Sequence, residues 1–239
     1  FADKLAACGF DSRAFLACYG MAECTLGISF SPLALGFTTH YVDSDQLADA
    51  NKVVLMDDSE QSGRGRHFVN CGRPLPSYDV EVRDDNGERL EDWKSGVIHV
   101  RGPSVMSGYF NLPEESSQAL CEDGWLNTGD LGYRIGASLY LTGRQKDLII
   151  VNGRNIWPQD LEFAAEQQPE VRTGDASAFS VPGPDGVEKT VMMVQCRVSS
   201  DPQRVELRER MQRLIYQELG IECHIDLVPR NTLPRTTTR

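Results

Sequence analysis

A chain of 239 residues suits one large domain or two ordinary ones, and 40% hydrophobic with 25% charged residues describes a globular protein with a core to bury. A formal charge of −11 argues against a nucleic-acid face or an anionic membrane surface, since both partners are negative. No apolar run approaches the roughly 20 residues a membrane helix needs, so no transmembrane segment is expected.

The opening "FADKLAACGF" carries no secretory signal pattern and reads as the middle of a helix, so a piece of something longer is expected. "FLACYGMAECTLGISF", residues 15–30, reads as an apolar strand that breaks at Gly20. Residues 39–67 are polar, with one apolar cluster at 53–56 that suits a strand. An insertion with structure of its own fits this stretch better than a bare loop, because long structureless loops are uncommon. From Asn70 the pattern is β-rich. "YDVEVRDDNGERL" alternates around Asn86-Gly87, a strong hairpin signal, and "SGVIHVRG" is another strand. "DLGYRIGASLYLTGR" reads as two strands turned at Gly136, which makes a small antiparallel sheet or barrel the expected arrangement.

After Asp147 the style changes. "WPQDLEFAAEQQ" predicts a helix with Pro158 in its first turn and acidic residues after it. "DASAFSV" and "KTVMMVQCRV" predict strands around the turn "PGPDG". In "PQRVELRERMQRLIYQELG" the residues Leu207, Met211, Leu214 and Ile215 form one apolar stripe, and Gly220 ends the helix. "HIDLVP" closes as a strand. The second part is therefore a compact α+β unit beyond a β-rich one.

Seven cysteines (Cys8, Cys18, Cys24, Cys71, Cys121, Cys196, Cys223) are scattered, odd in number and form no CxxC. Neither a disulfide framework nor a thiolate zinc site is indicated; reduced, mostly buried thiols in a cytoplasmic protein are expected. The histidines form no HExxH, and His99 within "GVIHVRG" reads as a sheet residue.

Three short pieces carry chemistry. In Tyr19-Gly20-Met21-Ala22-Glu23, a glycine after an aromatic at a strand end lets a flat ligand approach while the ring stacks on it. Glu23 then supplies a carboxylate for Mg²⁺. Read alone, this is equally a strand end with a solvated glutamate. "GWLNTGD" ends in Asp130, an acceptor-only carboxylate suited to the paired hydroxyls of a ribose, though Gly-Asp is also ordinary turn chemistry. "TGRQKDLIIVNGRN" places Arg144, Lys146 and Asp147 at the mouth of the apolar run 148–151, with Gly153 beyond it. Taken alone, those charges are solvated linker.

In this order and spacing the three pieces resemble the adenylate-forming superfamily of acyl-CoA synthetases, luciferases and peptide-synthetase adenylation domains. "YGMAE" is similar to its adenine- and Mg-binding motif, "GWLNTGD" to its ribose-binding motif, and "TGRQKDLIIVNGRNIWPQDLE" to its hinge motif. Within the superfamily the chain resembles the fatty acyl-AMP ligases. Ala22 stands where many CoA ligases carry threonine, and the stretch 39–67 ahead of "NCGRPLP" is similar to their insertion. Ile156-Trp157, in place of the usual His-Tyr, is a departure shared with CoA ligases.

The resemblance implies an α+β adenylate-forming fold: residues 1–143 as the β-rich end of the large domain, a hinge at 144–146, and an incomplete small α+β domain at 147–239. It implies ATP-dependent activation of a fatty acid to acyl-AMP, then transfer to the phosphopantetheine thiol of an acyl carrier protein. A fatty acyl-CoA synthetase is the alternative, and a non-catalytic adenylate-fold binding module a lesser one. Tyr19 would stack on the adenine of ATP or AMP, Glu23 hold Mg²⁺, and Asp130 with Arg144 take the ribose. Gly20 and Met21 would lie beside the acyl-phosphate and the start of the acyl tunnel, Ala22 would belong to the same cofactor-binding motif, Lys146 would be the swivel, and Gly153 would face the thiol channel. The family's upstream phosphate loop and its lysine near the C-terminus have no counterpart here, so this chain alone is not expected to form acyl-AMP.

Overall fold

Short strands separated by glycine and asparagine turns, then a long helix crossing between strands, set the arrangement. The structure is a computed structural model and describes residues 1–57, 65–151, 153–183 and 188–234. The chain divides into two units, Phe1–Lys146 and Asp147–Arg239.

The first unit opens with helix α1 (Ala2–Ala6) and a pair of antiparallel strands, β1 (Cys18–Gly20) and β2 (Gly27–Phe30). Next come β3 (Thr39–Asp43), α2 (Ser44–Ala50) and β4 (Gly65–Val69), and β3 pairs antiparallel with β4. Asp43 caps α2, its carboxylate accepting from the amides of Asp45 and Gln46, and Asn51 ends it in the left-handed conformation. Residues 39–57 and 65–67 thus have structure of their own. Residues 53–56 are not the strand expected there. Val53 and Met56 give their amides to different partners, Trp93 and Tyr41, so the segment never follows one edge for long enough.

β5 (Arg73–Pro74) joins β2, completing a three-stranded sheet in the order β1-β2-β5. β6 (Asp79–Arg83), β7 (Ser95–Arg101), helix α3 (Pro113–Ala119), β8 (Leu126–Ile135) and β9 (Ser138–Arg144) follow. These four strands form one antiparallel sheet in chain order. β6 buries alternate residues, Val80 and Val82, whereas central β7 buries Val97, Ile98, His99 and Val100 in succession. His99 is a sheet residue, as its context suggested. The Asn86-Gly87 turn forms, but its second arm contributes only the single bridge between Arg83 and Arg89, on the edge of β6 opposite the one that β7 occupies.

In the second unit β10 (Ile149–Val151) and β11 (Arg154–Ile156) make a small hairpin. β10 falls short of the buried strand that its apolar run suggests: Ile149 enters the core and Ile150 is 55% exposed, because only one face of the hairpin meets that core. Helix α4 (Pro158–Glu166) buries Leu161, Ala164 and Ala165. Strands β12 (Ala176–Pro182) and β13 (Glu188–Gln195) are antiparallel; most of the "PGPDG" turn joining them lies outside the described residues. Helix α5 (Asp201–Leu219) then crosses over to β14 (His224–Val228), which runs parallel to β13. Leu207, Met211 and Ile215 on α5 are fully buried at helical spacing, Leu214 packs against the same core, and Gly220 closes the helix at φ +69.

Candidate nucleotide site

The candidate residues of the first unit gather where β1 meets the β8–β9 edge. β1 slips register against β2 between Tyr19 and Gly20. At Gly20 the backbone of the partner strand comes so near that a Cβ would stand 1.8 Å from the Leu26 carbonyl oxygen, so only glycine fits. Met21 donates its amide to that same carbonyl at 2.8 Å. A single 3₁₀ turn, Ala22–Cys24, follows, and Thr25 at φ +72 sends the chain back as β2.

Residues 104–109 clasp this turn. The Ser104 hydroxyl donates to the Cys24 carbonyl (2.9 Å), the Met106 amide donates to the Glu23 carbonyl (2.7 Å), and the Tyr109 hydroxyl donates to Glu23 Oε1 (2.9 Å). Glu23 is therefore a half-buried carboxylate in a fixed place, while Ala22 beside it is exposed. Tyr109 has no motif of its own in the sequence. Its pairing with a glutamate 86 residues away becomes visible only in the fold.

Asp130 sits on β8 directly opposite Arg144 on β9. Its Oδ1 accepts from Arg144 Nε at 3.1 Å and its Oδ2 accepts from the Tyr19 hydroxyl at 2.7 Å. The Asp130 amide donates to Thr128 Oγ1 (3.1 Å), and that hydroxyl donates onward to the Ile98 carbonyl of β7 (2.8 Å). Gly129 takes φ +69 between them, so "NTGD" makes its turn inside a strand rather than at the end of one. Asp130 is 6% exposed and Tyr19 5%, whereas the Arg144 side chain is 69% exposed. Burial, helped by the Asp130 charge, pushes the Tyr19 hydroxyl well above its ordinary pKa, so it remains a hydrogen-bond donor.

Tyr19, Asp130 and Arg144 are thus joined by direct hydrogen bonds, and Gly20, Met21, Ala22 and Glu23 continue from Tyr19 along one turn. Lys146 lies exposed in the 3₁₀ turn Gln145–Asp147, two places beyond Arg144. Gly153 belongs to the second unit, in the turn between β10 and β11 at φ +80, with open space where a Cβ would be. Among the described residues no group of three or more His, Cys, Asp or Glu side chains is placed to hold a metal ion. Glu23 offers a single carboxylate, which fits Mg²⁺ only as it is commonly held with nucleotides, where phosphate oxygens and water supply the other ligands.

The family model described as "AMP-binding enzyme" matches residues 2–110. A solved chain from a study of fatty acyl-adenylate ligases of E. coli and L. pneumophila superposes with a TM-score of 0.89 at 41% identity, over 98% of this chain and 41% of that one. The chain is thus similar to the AMP-binding enzymes. A Caulobacter vibrioides protein assigned as an acyl-CoA synthetase is 42% identical over 100% of this chain and 41% of its own length. The long-chain-fatty-acid–AMP ligase FadD32 of Mycolicibacterium smegmatis is 32% identical over 81% of this chain and 33% of its own. The chain spans between a third and about two fifths of these relatives, and its mixed α/β architecture is that of adenylate-forming enzymes. No helix among the described residues is long and apolar enough to cross a membrane.

Proposed function

We propose that the protein containing this chain activates a fatty acid with ATP, forming acyl-AMP and pyrophosphate, and then passes the acyl group to a thiol. The observation that supports this best is the hydrogen-bonded set of Tyr19, Asp130 and Arg144 beside the turn bearing Glu23. An acceptor-only carboxylate held on both sides is suited to the two hydroxyls of a ribose, and an exposed guanidinium next to it can add a donor to the same sugar. Tyr19 would border the adenine, and Gly20, Met21 and Ala22 would lie along the acyl-phosphate.

The carboxylate of the fatty acid attacks the α-phosphate; its oxygen–phosphorus bond forms as the bond to the leaving pyrophosphate breaks. Both reactants are anions, so their approach needs screening. Mg²⁺, when bound, supplies that screening, and Glu23, fixed by Tyr109, is the residue that would hold it. Lys146 is proposed as the swivel between the adenylation and transfer steps, and Gly153 as the position that leaves room for the incoming thiol arm. Domain rotation of this kind lets one site run two reactions in turn.

The proposed acceptor is the phosphopantetheine of an acyl carrier protein. The structural likeness to fatty acyl-adenylate ligases and the FadD32 relative support the adenylation step, and the carrier acceptor rests on the resemblance of Ala22 and the stretch 39–67 to the fatty acyl-AMP ligases. The Caulobacter relative favours CoA instead. Seven free cysteines fit a reducing compartment, and the cytoplasm is the proposed location. Incubating the whole protein with ATP, laurate and either CoA or holo-carrier protein separates the acceptors. Acylated carrier with untouched CoA is the expected result; acyl-CoA alone would transfer the protein to the synthetases.

A further inference from the structure

We propose that Tyr19 serves the nucleotide through its hydroxyl, as the positioning residue that aims Asp130 at the ribose. This deepens the functional reading above and rests on it.

Tyr19 is only 5% exposed and belongs to the core cluster that includes Cys24, Ile28, Ile98 and Leu139. A phenylalanine would fill such a place without carrying a hydroxyl into it, and a buried hydroxyl is costly unless it is bonded. The bond it makes is the 2.7 Å contact to Oδ2 of Asp130, reaching across 111 residues of sequence. Arg144 engages the other oxygen from the opposite strand. Each carboxylate oxygen offers two acceptor positions. With one donor on each, the plane of the carboxylate is set and one position on each oxygen is left for a sugar hydroxyl. Thr128 fixes the backbone of the same residue, so Asp130 is held at its amide and at both oxygens before any ligand arrives. Such pre-organisation removes an ordering cost from binding. Burial keeps the Tyr19 hydroxyl protonated through the neutral range, so the contact persists wherever the site operates.

Ring and hydroxyl separate cleanly in Tyr19→Phe. Titrate the whole protein with AMP and with 2′,3′-dideoxy-AMP, following the ligand by NMR, for wild type, Tyr19→Phe, Asp130→Asn and the double variant. Wild type should prefer AMP. Tyr19→Phe should weaken AMP roughly tenfold, the scale of one hydrogen bond to a carboxylate, and leave dideoxy-AMP unchanged. The double variant should be no weaker than Asp130→Asn, because both changes act through one carboxylate. Equal losses for AMP and dideoxy-AMP in Tyr19→Phe, or no loss for either, would overturn the proposal. Should Tyr19→Phe not fold, ¹³Cζ-labelled wild-type tyrosine gives the answer. The Tyr19 resonance should move with AMP and stay fixed with dideoxy-AMP, and a resonance indifferent to both sinks the idea. A whole wild-type protein that binds no AMP at all removes the functional reading itself, a result distinct from each of these.

Discussion

Gly20 and Asp130 meet opposite demands at the candidate site. Gly20 is there for what it lacks: a Cβ would lie 1.8 Å from the Leu26 carbonyl oxygen, and a backbone atom cannot swing aside as a flexible side chain can. Gly20→Ala must therefore pry β1 from β2, and it should lower stability by about 1–3 kcal/mol, readable as a lower midpoint in urea. A midpoint equal to wild type would show that the two strands lie further apart than described. Asp130 is there for what it accepts. Asp130→Asn preserves shape but replaces one acceptor oxygen with a donor, which faces either the Tyr19 hydroxyl or Arg144 Nε. AMP affinity should fall by at least tenfold, since groups arranged around a charged acceptor are then mispaired. Arg144→Ala should cost far less, because a pair with one partner 69% exposed is well screened. Reversal of that order in an isothermal titration would mean that the guanidinium, not the carboxylate, carries the ribose contact.

Among the elements, β3 is seated on the four-stranded sheet by an aromatic seam. His40 on β3 stacks on Tyr140 of β9 with centroids 4.2 Å apart, and its Nε2 lies 3.1 Å from the Tyr140 hydroxyl. Tyr133 of β8 stacks on Tyr140 in turn and lies 3.4 Å by its hydroxyl from His40 Nδ1. Burial lowers the His40 pKa from its ordinary value, so the folded state disfavours the imidazolium. The sign follows directly. The unfolded chain takes up the proton more readily, so this contribution to stability is whole above about pH 6.5 and fades as pH falls through the lower folded-state pKa. Urea midpoints at pH 7.5 and pH 5 should therefore diverge more for wild type than for His40→Ala. An equal drop in both proteins would exclude His40 as a source of the acid sensitivity.

Periodicity and turn chemistry made β7, β8, β9, α4 and α5 legible, because each has a strong local pattern that the surrounding fold leaves undisturbed. Residues 53–56 and the second arm at Asn86-Gly87 were read too simply. Their apolar spacing is right for strands, but each meets its neighbour at a single bridge, Leu55 at Val42 and Arg89 at Arg83, and how long two segments stay side by side is a tertiary property. At the site, Tyr19, Glu23, Asp130 and Arg144 were recognisable as chemistry-bearing types in a family order. The bond from Tyr19 to Asp130 and the Tyr109 clasp on Glu23 were not, since sequence separations of 111 and 86 carry no periodic signal.

At the scale of the molecule, the division at Lys146–Asp147 leaves each unit with its own hydrophobic core, Cys24, Ile28, Ile98 and Leu139 in one and Leu161, Met192, Leu207 and Ile215 in the other. Units that bury separate cores can in principle move as bodies when a short exposed segment joins them. If Lys146 is the swivel, Lys146→Pro in the whole protein should leave acyl-AMP formation near its wild-type rate and slow thiol transfer by tenfold or more, because proline fixes one of the dihedrals that must change. Parallel loss of both half-reactions would place Lys146 in the chemistry instead.

The account stands on one mononucleotide meeting residues that lie far apart in sequence. The direct measurement is a crystal structure of the protein soaked with AMP and Mn²⁺, using anomalous scattering to locate the ion. The ribose hydroxyls should lie within hydrogen-bond distance of both Asp130 oxygens, with the manganese signal beside Glu23. Clear density for AMP elsewhere, with Asp130 still bonded only to Tyr19 and Arg144, would contradict the account.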